Sequence, residues 1–213
     1  MNLEALTEAL RFRFETIGVK SRIHPGMFDT WINRGIERIA TDTLYLEGEA
    51  TLTPDGTNSS FTVIGSGADN VASDFLAIKS CYHSEGVIEE IQMDKIEELA
   101  VDGDIIAGNP TGYVIFGGKI YFNNIPGATL TVNFKYYKVP STLSAKTDEP
   151  DYPLSLFGRL VLDAAMLEYA NDIDNESLYG KRLAMYKDNR TDFTKVSERK
   201  SKLSRRSTTA HTL

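Results

Sequence analysis

Cys81-Tyr82-His83 sets a thiol and an imidazole two residues apart, and on a strand both would face the same side. A nucleophile with its base, or a pair of metal ligands, could start from such a pairing. Either use needs a third group, and the sequence places none nearby, so an ordinary buried thiol is the expected outcome. His24 and His211 have no partner at metal-ligand spacing. Asp172-Ile173-Asp174-Asn175-Glu176 opens like a calcium loop, but the sixth and twelfth positions are Ser177 and Leu183, where that loop needs glycine and glutamate. A polar helix–helix turn that caps the next helix explains it better. Metal-dependent hydrolysis through Asp172 or Asp174 stays only as a remote reading. Gly65-Ser66-Gly67 lacks the Gly-Lys-Ser/Thr of a phosphate loop and reads as a turn. Asp148, Glu149 and Asp151 sit in a Pro-containing loop with nothing to desolvate them, which is poor ground for acid–base work. Asn58, Asn175 and Asn189 begin glycosylation sequons that matter only on secretion. No catalytic residue, metal ligand or cofactor is therefore expected.

The elements follow from periodicity. Leu3, Leu6, Leu10, Phe14 and Ile17 form one helical stripe, ended by Gly18. Pro25 suits the first turn of a second helix, whose apolar face is Phe28, Trp31, Ile32, Ile36 and Ile39. Residues 1–42 thus predict a helical hairpin. Residues 43–140 change period and predict an antiparallel β module of about five to seven strands, without βαβ alternation. Its strands are expected at 44–53, 60–64, 75–83, 87–92, 113–116, 119–122 and 130–136, with a short helix over 95–101 capped by Asp94. Gly117-Gly118 between Tyr113–Phe116 and Lys119–Phe122 is the clearest hairpin signal. In the last strand Leu130, Val132, Phe134 and Tyr136 share a face. Residues 141–196 predict two helices packing with the first two. One is opened by Pro153 and apolar on most sides, and the other starts near Glu176. From 197 to 213 Ser, Thr, Lys and Arg dominate, and a basic flexible tail is expected. The expected class is α+β: a helical bundle of two N-terminal and two C-terminal helices with an inserted antiparallel β module.

The chain of 213 residues carries 23 basic and 30 acidic side chains, a net −7, with 41% hydrophobic and 25% charged residues. These values exclude a disordered chain. One cysteine excludes an internal disulfide. No run approaches the ~20 apolar residues of a membrane span, no signal layout opens the chain, and a cytosolic location is expected. The charge is unevenly placed. Residues 181–206 hold ten basic side chains against Asp188, Asp192 and Glu198, a net +7, so the remainder carries −14. A solvated helix end would explain the basic run; so would an arm that docks on an acidic partner or nucleic acid. The acidic body opposes tight DNA binding by the whole protein.

Several segments, in order, resemble the head-to-tail adaptor (connector) proteins of tailed bacteriophages, including the tail tubular protein A type. They are Phe28-Asp29-Thr30-Trp31-Ile32-Asn33-Arg34-Gly35-Ile36, Ser73-Asp74-Phe75-Leu76-Ala77-Ile78-Lys79-Ser80, Asn109–Ile115 with Gly118–Phe122, Lys135-Tyr136-Tyr137-Lys138-Val139-Pro140, and Asp148-Glu149-Pro150-Asp151-Tyr152-Pro153. Ser73 stands where the family often has proline. The resemblance implies a non-enzymatic virion structural protein at the head–tail interface, made in the host cytoplasm. It implies a homo-oligomeric ring of about twelve copies. Its partners would be the portal protein and a tail (nozzle, stopper or tail tube) protein, with genomic DNA passing through the lumen without sequence-specific binding and no membrane involved. Lys195, Arg199, Lys200, Lys202, Arg205 and Arg206 are then the expected portal-docking residues. The alternative is a β-sandwich binding module for a glycan or protein ligand, using Tyr113, Tyr121, Tyr136 and Tyr137, though strand aromatics are more often core.

Overall fold

A computed structural model describes residues 1–19, 23–64 and 70–208, apart from the side chains of Asn70 and of residues 199–208. In chain order the elements are α1 (Leu3–Thr16), α2 (Pro25–Thr43), β1 (Glu47–Leu52), β2 (Ser60–Ile64), β3 (Asn70–Ala72), β4 (Phe75–His83) and β5 (Gly86–Glu90). They continue with α3 (Met93–Asp102), β6 (Gly112–Phe116), β7 (Lys119–Phe122), β8 (Val132–Lys138), α4 (Gly158–Asp172) and α5 (Glu176–Thr208). The chain divides into two compact units: Met1–Leu46 with Pro140–Leu213, and Glu47–Val139.

The helical unit is organised by α4. Every residue from Leu160 to Ala170 is buried, so this helix has no solvent face and must be wrapped by its neighbours. The α1 stripe Leu3, Leu6, Leu10 and Phe14 and the α2 face Phe28, Trp31, Ile32, Ile36 and Ile39 join it in one core. Gly35 lets α2 approach closely: a Cβ there would lie 2.8 Å from the Ala165 backbone nitrogen. Phe14, Phe28, Trp31 and Tyr169 meet mostly edge to face, with centroids 4.4 to 5.8 Å apart. The Asn2 side chain accepts from the Ala5 amide at 3.0 Å and caps α1. Pro153 does not open α4. It follows a cis Tyr152-Pro153 bond and precedes a 3-10 turn at Leu154–Leu156, and the α-helix begins at Gly158. The helical backbone of α5 runs on to Thr208, past the point where the apolar pattern stops.

The second unit overturns the expected helical bundle with an inserted antiparallel β module. It holds an eight-stranded mixed sheet, ordered β1-β8-β4-β5-β6-β7-β2-β3, whose outermost strands β1 and β3 approach each other so that it nearly closes into a barrel. Two pairs are parallel, β2 with β3 and β5 with β6. Parallel neighbours need a crossover, and α3 supplies it between β5 and β6, a βαβ unit that the sequence did not advertise. β3 has only three residues beside the Gly-Ser segment, too few to show a period. The core here is a second one, of Leu52, Phe61, Val63, Ile88, Tyr113, Ile120, Phe122, Val132, Phe134 and Tyr136 among others. Val132, Phe134 and Tyr136 face it as the alternation predicts. Gly117 and Gly118 take φ of 58° and 77°, the left-handed values a two-residue hairpin demands. Asp94 does not cap α3; Gln92 holds that position without a side-chain bond, and Asp94 sits in the first turn.

Candidate docking surfaces

Two buried acids tie α4 to the helices around it. Asp163, fully buried, accepts from Arg13 on α1 at 2.5 Å and from Asn189 on α5 at 2.5 Å. Glu168 accepts from Arg38 on α2 at 2.5 Å. Burial lowers the Arg38 pKa, but the hydrogen bond and charge of Glu168 outweigh it and the net shift is upward. A buried charge without a partner costs several kcal/mol, so these contacts fix which helix faces which. On the α5 side Tyr186 donates to Asp42 at 2.8 Å, and Arg190 pairs with the same carboxylate at 2.9 Å. Burial, then the Asp42 bond and charge, push the Tyr186 hydroxyl well above its ordinary pKa.

Phe193 is the last fully buried residue of α5 among those described. Its ring meets Tyr45 and Phe157 edge to face, each at 5.1 Å. Over residues 194–198 no side chain is buried. Val196 is 41% exposed, and Lys195 pairs with Asp192 one turn back, at 3.2 Å. At 1.5 Å per residue, the stretch from Phe193 to Thr208 extends about 22 Å further. It carries Lys195, Arg199, Lys200, Lys202, Arg205 and Arg206 against Glu198. The last five of those cations lie on the helix, but their side chains are outside the described residues.

The other sequence candidates are structural or separate. Cys81 and His83 are both buried on β4. The His83 ring is fully used, Nδ1 accepting from the Glu85 amide at 3.1 Å and Nε2 lying 3.2 Å from the Pro110 carbonyl. Burial raises the Cys81 thiol to about 12, which leaves it protonated and inert at neutral pH. His24 caps α2 through Nδ1. His211 and Gly65-Ser66-Gly67 lie outside the described residues. Asp172 accepts from Trp31 Nε1 at 2.8 Å and from Arg34 at 3.1 Å, a structural use. Asp174 holds a left-handed turn with φ 51°. Asp148 accepts from the Ser144 and Ala145 amides, which hold its carboxyl below the usual range, and Asp151 accepts from the Ser141 amide. Tyr113 and Tyr136 are core residues, which leaves Tyr121 and Tyr137 too few for a glycan platform. Among the described residues no three His, Cys, Asp or Glu could hold a metal ion, and no helix is long and apolar enough to cross a membrane. The sequence reading missed the Asp163 and Glu168 ties. Their signal was an acid at two points of an otherwise apolar helix.

The family model described as SU10 adaptor protein matches residues 1–212. The chain belongs to the SU10 adaptor protein family. It is a phage adaptor, a structural protein of the virion that works with other head and tail components, as the resemblance to head-to-tail adaptors implied. No curated protein matches the chain.

Proposed function

We propose that this SU10-family adaptor forms a ring of about twelve copies on the portal, extends the DNA channel after packaging and offers the tail its attachment surface. It assembles from the host cytoplasm and catalyses nothing. The observation that carries the reading is α5, which continues past Phe193, its last buried residue among those described, as a basic helix on an otherwise acidic chain. Lys195, Arg199, Lys200, Lys202, Arg205 and Arg206 grip the portal, and repetition around a ring turns weak contacts into firm attachment. The acidic remainder suits a lumen through which DNA slides without being held.

Mixing the purified protein with portal particles and imaging them by negative-stain microscopy tests this. Closed rings of added density on the portal are expected, and unaltered particles would refute the reading. Deleting 195–213 starts two residues after Phe193, the last buried residue of α5 among those described. The shortened chain should keep its circular dichroism and melting temperature and lose at least about tenfold in portal affinity. Unchanged affinity would take the docking role away from these residues.

A further inference from the structure

The β5–α3 segment carries a concentration of negative charge. Residues 85–104 hold Glu85, Glu89, Glu90, Asp94, Glu97, Glu98, Asp102 and Asp104 against Lys95 alone, a net −7. Among the described residues no ion pair engages any of them. α3 buries only Ile96, packing against β6, and its outer face is free, with Val101 85% exposed and Ile106 just beyond it 63% exposed. Along that face Asp94, Glu98 and Asp102 follow one another at four-residue intervals, and like charges so placed destabilise a helix. The helix ends on Asp102 with no basic residue in its last turn, which opposes its dipole. It also starts without a capping side chain. As it stands, α3 presents an acidic face without an ion-pair partner among the described residues.

The same chain carries a matching pattern of opposite sign. On α5, Lys195, Arg199, Lys202 and Arg206 follow one another at spacings of four, three and four, a single basic face on a helix whose stretch 195–206 carries six cations against Glu198. The two stripes have opposite sign and the same helical period. They span about 12 Å on α3 and about 17 Å on α5. We propose that the outer face of α3 is a docking surface for the basic end of α5 from a second copy of this chain. Val101 and Ile106 would be covered in the contact. Such a contact is head to tail, each copy offering both surfaces, and so it propagates from copy to copy. It does not depend on portal docking. Because it uses the same basic face, portal and neighbouring copy compete for that face.

Charge reversal of each surface in the full chain, followed by sedimentation analysis at several concentrations, tests this. The wild type should self-associate at low salt, and its association should weaken at least about tenfold when ionic strength rises from roughly 0.05 to 0.5 M. Glu97→Lys with Glu98→Lys and Asp102→Lys, or Arg199→Glu with Lys202→Glu and Arg206→Glu, should each abolish it. Mixing these two variants should restore association, since the reversed α3 face meets the reversed α5 end while the two unaltered surfaces still meet each other. The inference is overturned if the wild type stays monomeric, if either variant associates like the wild type, if salt has no effect, or if the mixture does not pair. The α5 variant leaves α3 untouched, so misfolding of the α3 variant alone cannot explain a lost contact. An α3 variant that stops associating yet still docks on portal supports both readings. A wild type that associates as described and ignores portal refutes portal docking alone.

Discussion

Two tyrosines show what burial does to a hydroxyl with and without a partner. Tyr186 is buried and donates to Asp42, while the Tyr45 hydroxyl is buried with no hydrogen-bond partner among the described residues. An unsatisfied buried polar group costs about 1–3 kcal/mol. Tyr45→Phe should therefore be neutral or raise stability by up to about 1 kcal/mol, and Tyr186→Phe should lower it by about 1–2 kcal/mol. Urea unfolding of the two variants checks the pair, and equal losses would contradict it. Arg13 is a different case. Its removal leaves the carboxylate of Asp163 at zero exposure with only Asn189 to bond it. Arg13→Ala should cost about 3 kcal/mol by the same measurement, far more than losing an exposed ion pair such as Lys146 with Glu4.

At the level of elements, the β unit holds Cys81, Tyr113 and Tyr136, three groups that resist ionisation. Burial, aided by Glu90 for Tyr113 and by the Asp74 bond for Tyr136, pushes both hydroxyls from an ordinary 10.0 up to about 12, and burial alone lifts the Cys81 thiol from 9.0 to about 12. Each pKa is raised on folding, so the unfolded chain loses its protons first. The stability this represents is whole below about pH 9 and drains away as the pH climbs to about 12. Unfolding free energy should be level up to about pH 9 and then fall, and tyrosinate absorbance of the folded protein should lag that of the denatured chain; superimposable titrations would contradict this. How legible each element was follows from how local its cause is. The stripes of α1 and α2, the Gly117-Gly118 turn and the alternation in β8 depend on neighbours within a few residues, and all were readable. The parallel pairing of β5 with β6 depends on residues some twenty positions apart, and β3 is too short to carry a period, so the mixed sheet was not. The helical start at Gly158 was displaced from Pro153 by the turn that precedes it. No metal or catalytic cluster was read from the sequence; the α3 face was visible there only as scattered acids until one helix aligned them.

The whole molecule holds two cores on one chain. β1 begins at Glu47 and β8 ends at Lys138, and the two strands pair antiparallel with Glu47 opposite Tyr137. The chain thus enters and leaves the β unit on adjacent strands, about 5 Å apart. The helical unit, for its part, has its own apolar core and its own buried ties, Arg13 to Asp163 and Arg38 to Glu168, all made between residues before Leu46 and after Pro140. Among the described residues, the helical unit pairs its buried acids within itself. It follows that Glu47–Val139 made alone should fold, with a β-rich circular dichroism spectrum and a cooperative melt. Replacing that segment by a short Gly-Ser linker should leave a folded helical protein, because the linker has to span only the width of one strand pair. If either piece is unfolded, the two units depend on each other energetically and the division into separate cores is wrong. If both fold, the charge reversals on α3 and α5 can be carried on separate pieces. The isolated β unit should then bind the helical unit in solution, with a salt dependence like that of the full chain's self-association.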